Sequence, residues 1–128
     1  MLDVEFLMSE VDIREITFNF ALDIINLYRQ CMDSNEYVLS KQILRSGTSI
    51  GANVEEAQAA QSKKDFIAKM AIASKESRET KYWLRLIKDG RLLVNDELLC
   101  ALIRQSDSIS NIITRIVKTA MRNNHGEK

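Results

Sequence analysis

Seven positions, Phe66, Met70, Ala73, Ser77, Thr80, Leu84 and Ile87, are separated by unbroken alternating steps of four and three residues. That spacing keeps all seven on one face of an α-helix, whereas a strand would scatter them over both faces. Similar seams recur at Ile13, Ile16, Phe20, Ile24, Leu27 and Cys31, at Ile43, Gly47, Ile50, Val54 and Ala57, and at Leu99, Leu102, Ser106, Ile109, Ile113, Ile116 and Ala120. The segments between them are too short to carry a helix back to a parallel start, so chain neighbours must run antiparallel. The expected fold is all-α, an antiparallel up-down-up-down four-helix bundle. A chain with no proline and only 6% aromatic residues suits it.

Local signals set the expected boundaries. Ser9 and Asp12 stand in capping-box spacing, and residues 1–8 read as an extension. Asp33-Ser34-Asn35 makes a polar turn, with Glu36 in capping register. Ser62 and Asp65 start the third helix, Asp89-Gly90 closes it with Gly90 as cap, and Asn95 opens the fourth. The helices are expected at about 9–32, 36–60, 63–88 and 96–122. Residues 123–128 read as a flexible tail, and residues 1–128 as one domain.

The second helix contains an unusual stretch, Ser46-Gly-Thr-Ser-Ile-Gly-Ala-Asn-Val-Glu-Glu-Ala57. A glycine inside a helix costs about 1 kcal/mol relative to alanine, so two of them on a small-residue seam mark close approach of another helix. Beside this seam runs a polar line, Arg45, Ser49, Asn53 and Glu56. Glu76 and Glu79 stand three residues apart on the third helix. These six are expected to form a buried or interfacial hydrogen-bond network that fixes helix register.

Little in the chain suggests catalysis. His125 is the only histidine and lies near the C-terminus, so no nucleophile–histidine or histidine–metal constellation can be assembled around it. Cys31 and Cys100 have no metal or redox spacing and read as packed, reduced thiols. No catalytic residue, metal or cofactor is expected. The N-terminal residues are acidic and lack a secretory pattern, and no apolar run reaches the roughly 18 residues that span a bilayer. The expected location is the cytoplasm.

Net charge is zero, yet residues 1–40 carry two basic and eight acidic side chains while residues 41–128 carry sixteen and ten. On the third helix Lys64, Lys75, Arg78, Lys81 and Arg85 fall in one arc, together with Tyr82 and Ile67. Such an arc can follow a phosphate backbone; an ordinary solvated face is the plainer alternative. On the other side, Ile72, Trp83 and Leu86 mix with Glu76 and Glu79. The first helix carries a second apolar stripe of Phe18, Ala21, Ile25, Tyr28 and Met32. Apolar arcs wider than a bundle needs are expected to serve self-association.

Two motifs add a family resemblance. Leu44-Arg-Ser-Gly-Thr-Ser-Ile-Gly-Ala-Asn-Val-Glu-Glu-Ala57 resembles an Arg-x-x-x-Ser-x-x-x-Asn-Ile-x-Glu segment. Ser62-Lys-Lys-Asp-Phe66 followed by Ile72-Ala-Ser-Lys-Glu-Ser-Arg-Glu-Thr-Lys-Tyr-Trp-Leu84 is similar to its second half. The family is that of bacterial four-helix-bundle proteins encoded in intervening sequences of 23S ribosomal RNA genes, which is similar also to the accessory variability determinant of diversity-generating retroelements. The resemblance implies an antiparallel bundle assembled as a homopentamer, without enzymatic activity. For the retroelement branch it implies a basic surface for nucleic acid and a reverse-transcriptase partner. The expected function is therefore a non-catalytic homo-oligomeric scaffold associated with RNA or DNA. The alternative, favoured by the neutral total charge, is an oligomeric protein–protein adaptor.

Overall fold

The computed structural model describes residues 12–126, with side chains through residue 123. Four helices follow one another: α1 (Ile13–Asp33), α2 (Leu39–Gln58), α3 (Lys63–Asp89) and α4 (Glu97–Gly126). Each packs against the next, and α4 returns against α1 in the least intimate of the four pairings. Cross-helix contacts show the reversal of direction. Along α3, Lys69 meets Glu56 and Thr80 meets Ser46, so the partner number on α2 falls as the number on α3 rises. The fold is the antiparallel four-helix bundle expected from the seams.

The turns explain where the helices stop. At the end of α1, Asn35 takes a left-handed φ of 63°, while Glu36 N donates to Cys31 O and Asn35 N to Met32 O. This is a Schellman arrangement, which satisfies carbonyls that the helix end would leave bare. The end of α3 repeats it, with Leu92 N donating to Ile87 O and Arg91 N to Lys88 O. Gly90 is the cap as expected, but its φ is −78°, and the left-handed conformation falls on Arg91 at φ 54°.

Several starts differ from the sequence expectation. Ser9 lies outside the described residues, and Asp12 itself caps α1 by accepting from Glu15 N. Helix α2 begins at Leu39 because Glu36 stays outside it as a capping group. The two carboxylate oxygens of Glu36 accept from Leu39 N at 3.0 Å and Ser40 N at 2.7 Å. Ser62 caps α3 by accepting from Asp65 N, and Asn95 accepts from Glu97 N, both as expected. Helix α4 does not stop near residue 122 but continues to Gly126; residues 127 and 128 lie outside the described residues.

The seams of α2, α3 and α4 are the buried core, except that Phe66 is only half-buried. On α1 the buried position is Thr17 instead of Ile16, which is half-buried on the flank of the seam. Threonine can occupy a dry site because its hydroxyl donates to Ile13 O at 2.8 Å. The core also holds Ser46, Ser77, Thr80 and Ser106, each fully buried. They bond across helices: the Thr80 hydroxyl is 2.8 Å from Ser46 Oγ, and the Ser77 hydroxyl lies 3.0 Å from Ser106 O and 2.7 Å from Ser110 Oγ. Small polar residues thus bring α2, α3 and α4 close together while remaining satisfied. Both glycines of α2 face α1, Gly47 under Ile24 and Gly51 beside the Thr17 backbone.

Candidate functional site

The six polar residues of the expected network divide into three groups. Arg45 reaches from α2 to α3, where its guanidinium pairs with Glu76 at 3.3 Å and with Glu79. Glu79 also accepts from the Trp83 indole N–H at 3.0 Å. Asn53 turns back into its own helix, donating to Ser49 O at 2.9 Å and Ser49 Oγ at 3.1 Å. Glu56 pairs separately with Lys69 at 3.5 Å. The network is not buried within the chain, since the Arg45 side chain is 51% exposed. It clamps the outer edge of the α2–α3 interface. Arg45 engages both Glu76 and Glu79, so one cation already offsets half of their charge. Among the described residues, no cluster of three or more histidine, cysteine or acidic side chains could hold a metal ion.

Beside this clamp lie the residues expected at an interface. Ile72 is 42% exposed and Leu86 38%, while Trp83 is half-buried against the core. Among the described residues the wide apolar arc of α1 is not fully covered either: Phe18 and Leu22 are exposed, whereas Ala21, Ile25, Tyr28 and Met32 are half-buried. The described residues therefore leave two apolar surfaces open, one on α1 and one on α3 near Arg45.

The basic arc of α3 is present but not uniform. Lys64, Lys75, Arg78 and Arg85 are exposed and share a row with Ala68, Ala71 and Tyr82, at steps of four and three residues. Lys81 stands in the adjacent row toward α4 and pairs with Asp107 at 2.7 Å. Arg78 donates to Ser74 Oγ at 3.3 Å, while Lys75 and Arg85 have no ion-pair or hydrogen-bond partner among the described residues.

A second row extends this surface. On α4, Arg104, Asp107, Asn111, Arg115, Lys118 and Arg122 follow one another at steps of three or four and are all exposed. The Lys81–Asp107 pair places this row alongside that of α3. Its signal was available in the sequence as a spacing pattern. The regular apolar seam on the same helix is the stronger pattern and obscures it. The outside of the α3–α4 pair is thus cationic, whereas exposed acids such as Glu15, Asp33, Glu55 and Glu56 lie on α1 and α2. No helix among the described residues is long and apolar enough to cross a membrane.

Comparison with known proteins agrees with the four-helix fold. The family model described as "23S rRNA-intervening sequence protein" matches residues 9–115. A crystal structure of a protein of unknown function from the S23 ribosomal protein family of Bacteroides thetaiotaomicron VPI-5482 is similar to this chain. It has 42% identity and a TM-score of 0.82, and the match covers 88% of this chain and 100% of that one. No curated protein matches. The matched region takes in the Arg45–Glu76–Glu79 clamp, the glycine seam and most of both cationic rows, and the chain belongs to the 23S rRNA-intervening sequence protein family.

Proposed function

We propose that the protein is a non-catalytic homo-oligomeric scaffold that carries nucleic acid on the outside of α3. The carrying observation is the division of that helix's outer surface. One side presents exposed Lys64, Lys75, Arg78 and Arg85, and the other presents Ile72, Trp83 and Leu86 beside the Arg45 clamp. Cations with few partners suit a polyanion, bound with an affinity that falls as salt rises. Apolar side chains left open on α1 and α3 suit burial against other copies of the chain. Five subunits and, for the retroelement branch, a reverse-transcriptase partner belong to the same proposal by family resemblance, and a cytoplasmic location is proposed with them.

Two measurements test it. Light scattering on the purified protein should give a multiple of the 14.7 kDa chain mass, and Trp83→Arg should reduce it toward one chain. Filter binding to structured RNA should be tight at low salt, weaken steeply with added salt and be abolished by joint Lys75→Glu, Arg78→Glu and Arg85→Glu. A monomer, or binding indifferent to the triple reversal, rejects the corresponding half of the proposal. A second reading, an oligomeric protein–protein adaptor, draws on the zero net charge and on Asp107 neutralising Lys81. It requires an oligomer that binds no nucleic acid even at low salt.

A further inference from the structure

The exposed row of α3 contains one residue that phosphate contact does not need. Tyr82 stands between Arg78, four residues before it, and Arg85, three residues after it, with Lys75 one step further along the same row. It is 56% exposed, and its hydroxyl has no hydrogen-bond partner among the described residues. Burial does not explain the ring, nor does a hydroxyl contact. The neighbouring Trp83 ring meets it edge-on, with centroids 5.2 Å apart and planes at 67°. Trp83 is in turn held by Glu79. The tyrosine is thus supported from the side of the α2–α3 clamp while most of its surface stays open among three cations.

We infer that this row is a single-stranded nucleic-acid site in which Tyr82 is a stacking platform for a base and Lys75, Arg78 and Arg85 hold the flanking phosphates. The inference rests on the nucleic-acid reading above and narrows its ligand to strands with unpaired bases. A duplex keeps its bases stacked on one another and offers an outer helix face chiefly phosphates, so an exposed aromatic ring adds little there. A single strand can turn a base onto the ring at almost any sequence, because every base has a π face. Ala68 and Ala71 continue the row toward Lys64 with methyl groups only, leaving the backbone of a bound strand a low surface to cross. From Lys64 to Arg85 the row is about 32 Å long at 1.5 Å per residue, room for several nucleotides. Arg115, Lys118 and Arg122 on the adjoining face of α4 extend the cationic field.

The test uses the full chain and a fluorescein-labelled RNA of about 20 nucleotides, single-stranded or annealed to its complement, with binding followed by anisotropy. The single strand should bind more tightly than the duplex. Tyr82→Ala should weaken single-strand binding roughly tenfold or more and leave duplex binding and the dependence on salt unchanged. Tyr82→Phe, which keeps the ring, should bind like the parent. Equal single-strand affinity for Tyr82→Ala and the parent overturns the inference, and so does a change in oligomeric mass in that variant, since the ring would then belong to a subunit contact. If single strand and duplex bind alike and both respond to reversal of Lys75, Arg78 and Arg85, the stacking site is rejected while the broader nucleic-acid reading stands. If the reversal alters neither, both are rejected.

Discussion

Gly47 lies so close beneath Ile24 that a methyl group built on it would meet Ile24 Cγ1 at 2.7 Å and Cγ2 at 2.9 Å. Ile24 is fully buried, so no turn of its side chain opens the space. Gly51, one turn further along the same seam, differs: its added methyl would sit 3.4 Å from the Thr17 carbonyl and hydroxyl oxygens, an ordinary contact. The two alanine substitutions should therefore differ, with only the one at Gly47 destabilising. Each gains about 1 kcal/mol of helix propensity. Overpacking at Gly47 costs about 1–3 kcal/mol and outweighs that gain, so Gly47→Ala lowers the urea midpoint. Gly51→Ala should raise it or leave it unchanged. Ile24→Ala combined with Gly47→Ala should cost less than the two changes summed. Equal effects at the two glycines would reject this account.

The glycine seam shows what was legible in the sequence. Periodicity gave the four helices and their buried faces, and the glycines marked a close approach. Which helix approaches was not legible, because spacing within one segment carries no information on its partner; it is α1, through Ile24 and Thr17. Thr17 displaced Ile16 from the core for a similar reason. A hydroxyl that can bond its own helix is buried at little cost, and a hydropathy pattern does not register that. The polar line on α2 looked continuous at a helical repeat. Its members separated once α3 was in place, since Arg45 found two carboxylates across the interface while Asn53 found Ser49 within its own helix.

The buried hydroxyl pair between α2 and α3 should behave as a unit. Thr80 Oγ1 is 2.7 Å from Glu76 O and 2.8 Å from Ser46 Oγ. Its single proton can serve only one of them, so Ser46 donates to Thr80 when Thr80 donates to Glu76. Thr80→Val keeps the shape but leaves the buried Ser46 hydroxyl without its cross-helix partner, an expected loss of about 1–3 kcal/mol. Adding Ser46→Ala removes the orphan, so the double variant should recover about 1 kcal/mol relative to the sum of the single changes. A double-mutant cycle in chemical denaturation measures this, and strict additivity would show that the two hydroxyls do not depend on each other.

Cys31 makes stability depend on alkaline pH. Burial, with a smaller contribution from the Glu36 carboxylate, raises its thiol from 9.0 to about 11. The folded protein keeps this proton where the unfolded chain has already released it. The unfolded state then binds fewer protons, so stability falls as pH rises through this window. The contribution is complete below pH 9 and lost at about 1.4 kcal/mol per unit up to the folded value, roughly 2–3 kcal/mol in all. Cys31→Ala should be less stable than the parent at pH 8 because it leaves a cavity. That difference should narrow by about the same 2–3 kcal/mol at pH 11. Parallel pH profiles for the two proteins would contradict the assignment.

Trp83 is the only tryptophan in the chain, so its fluorescence reports directly on the clamp at the α2–α3 edge. Glu79 holds the indole N–H at 3.0 Å and is itself held by Arg45. Glu79→Gln keeps an oxygen for the indole but removes the charge that Arg45 pairs with; Glu79→Ala removes both. If the carboxylate positions the ring, the emission maximum and iodide quenching should change markedly in Glu79→Ala and little in Glu79→Gln. Arg45→Met should resemble Glu79→Gln, because it removes the cation and leaves the hydrogen bond to Trp83 in place. The stability cost of losing this half-exposed ion pair should stay near 1 kcal/mol or below. A larger change in oligomeric mass than in monomer stability would assign the clamp to subunit contact, since a charge cluster that is cheap to lose in water becomes costly once a neighbouring chain has desolvated it.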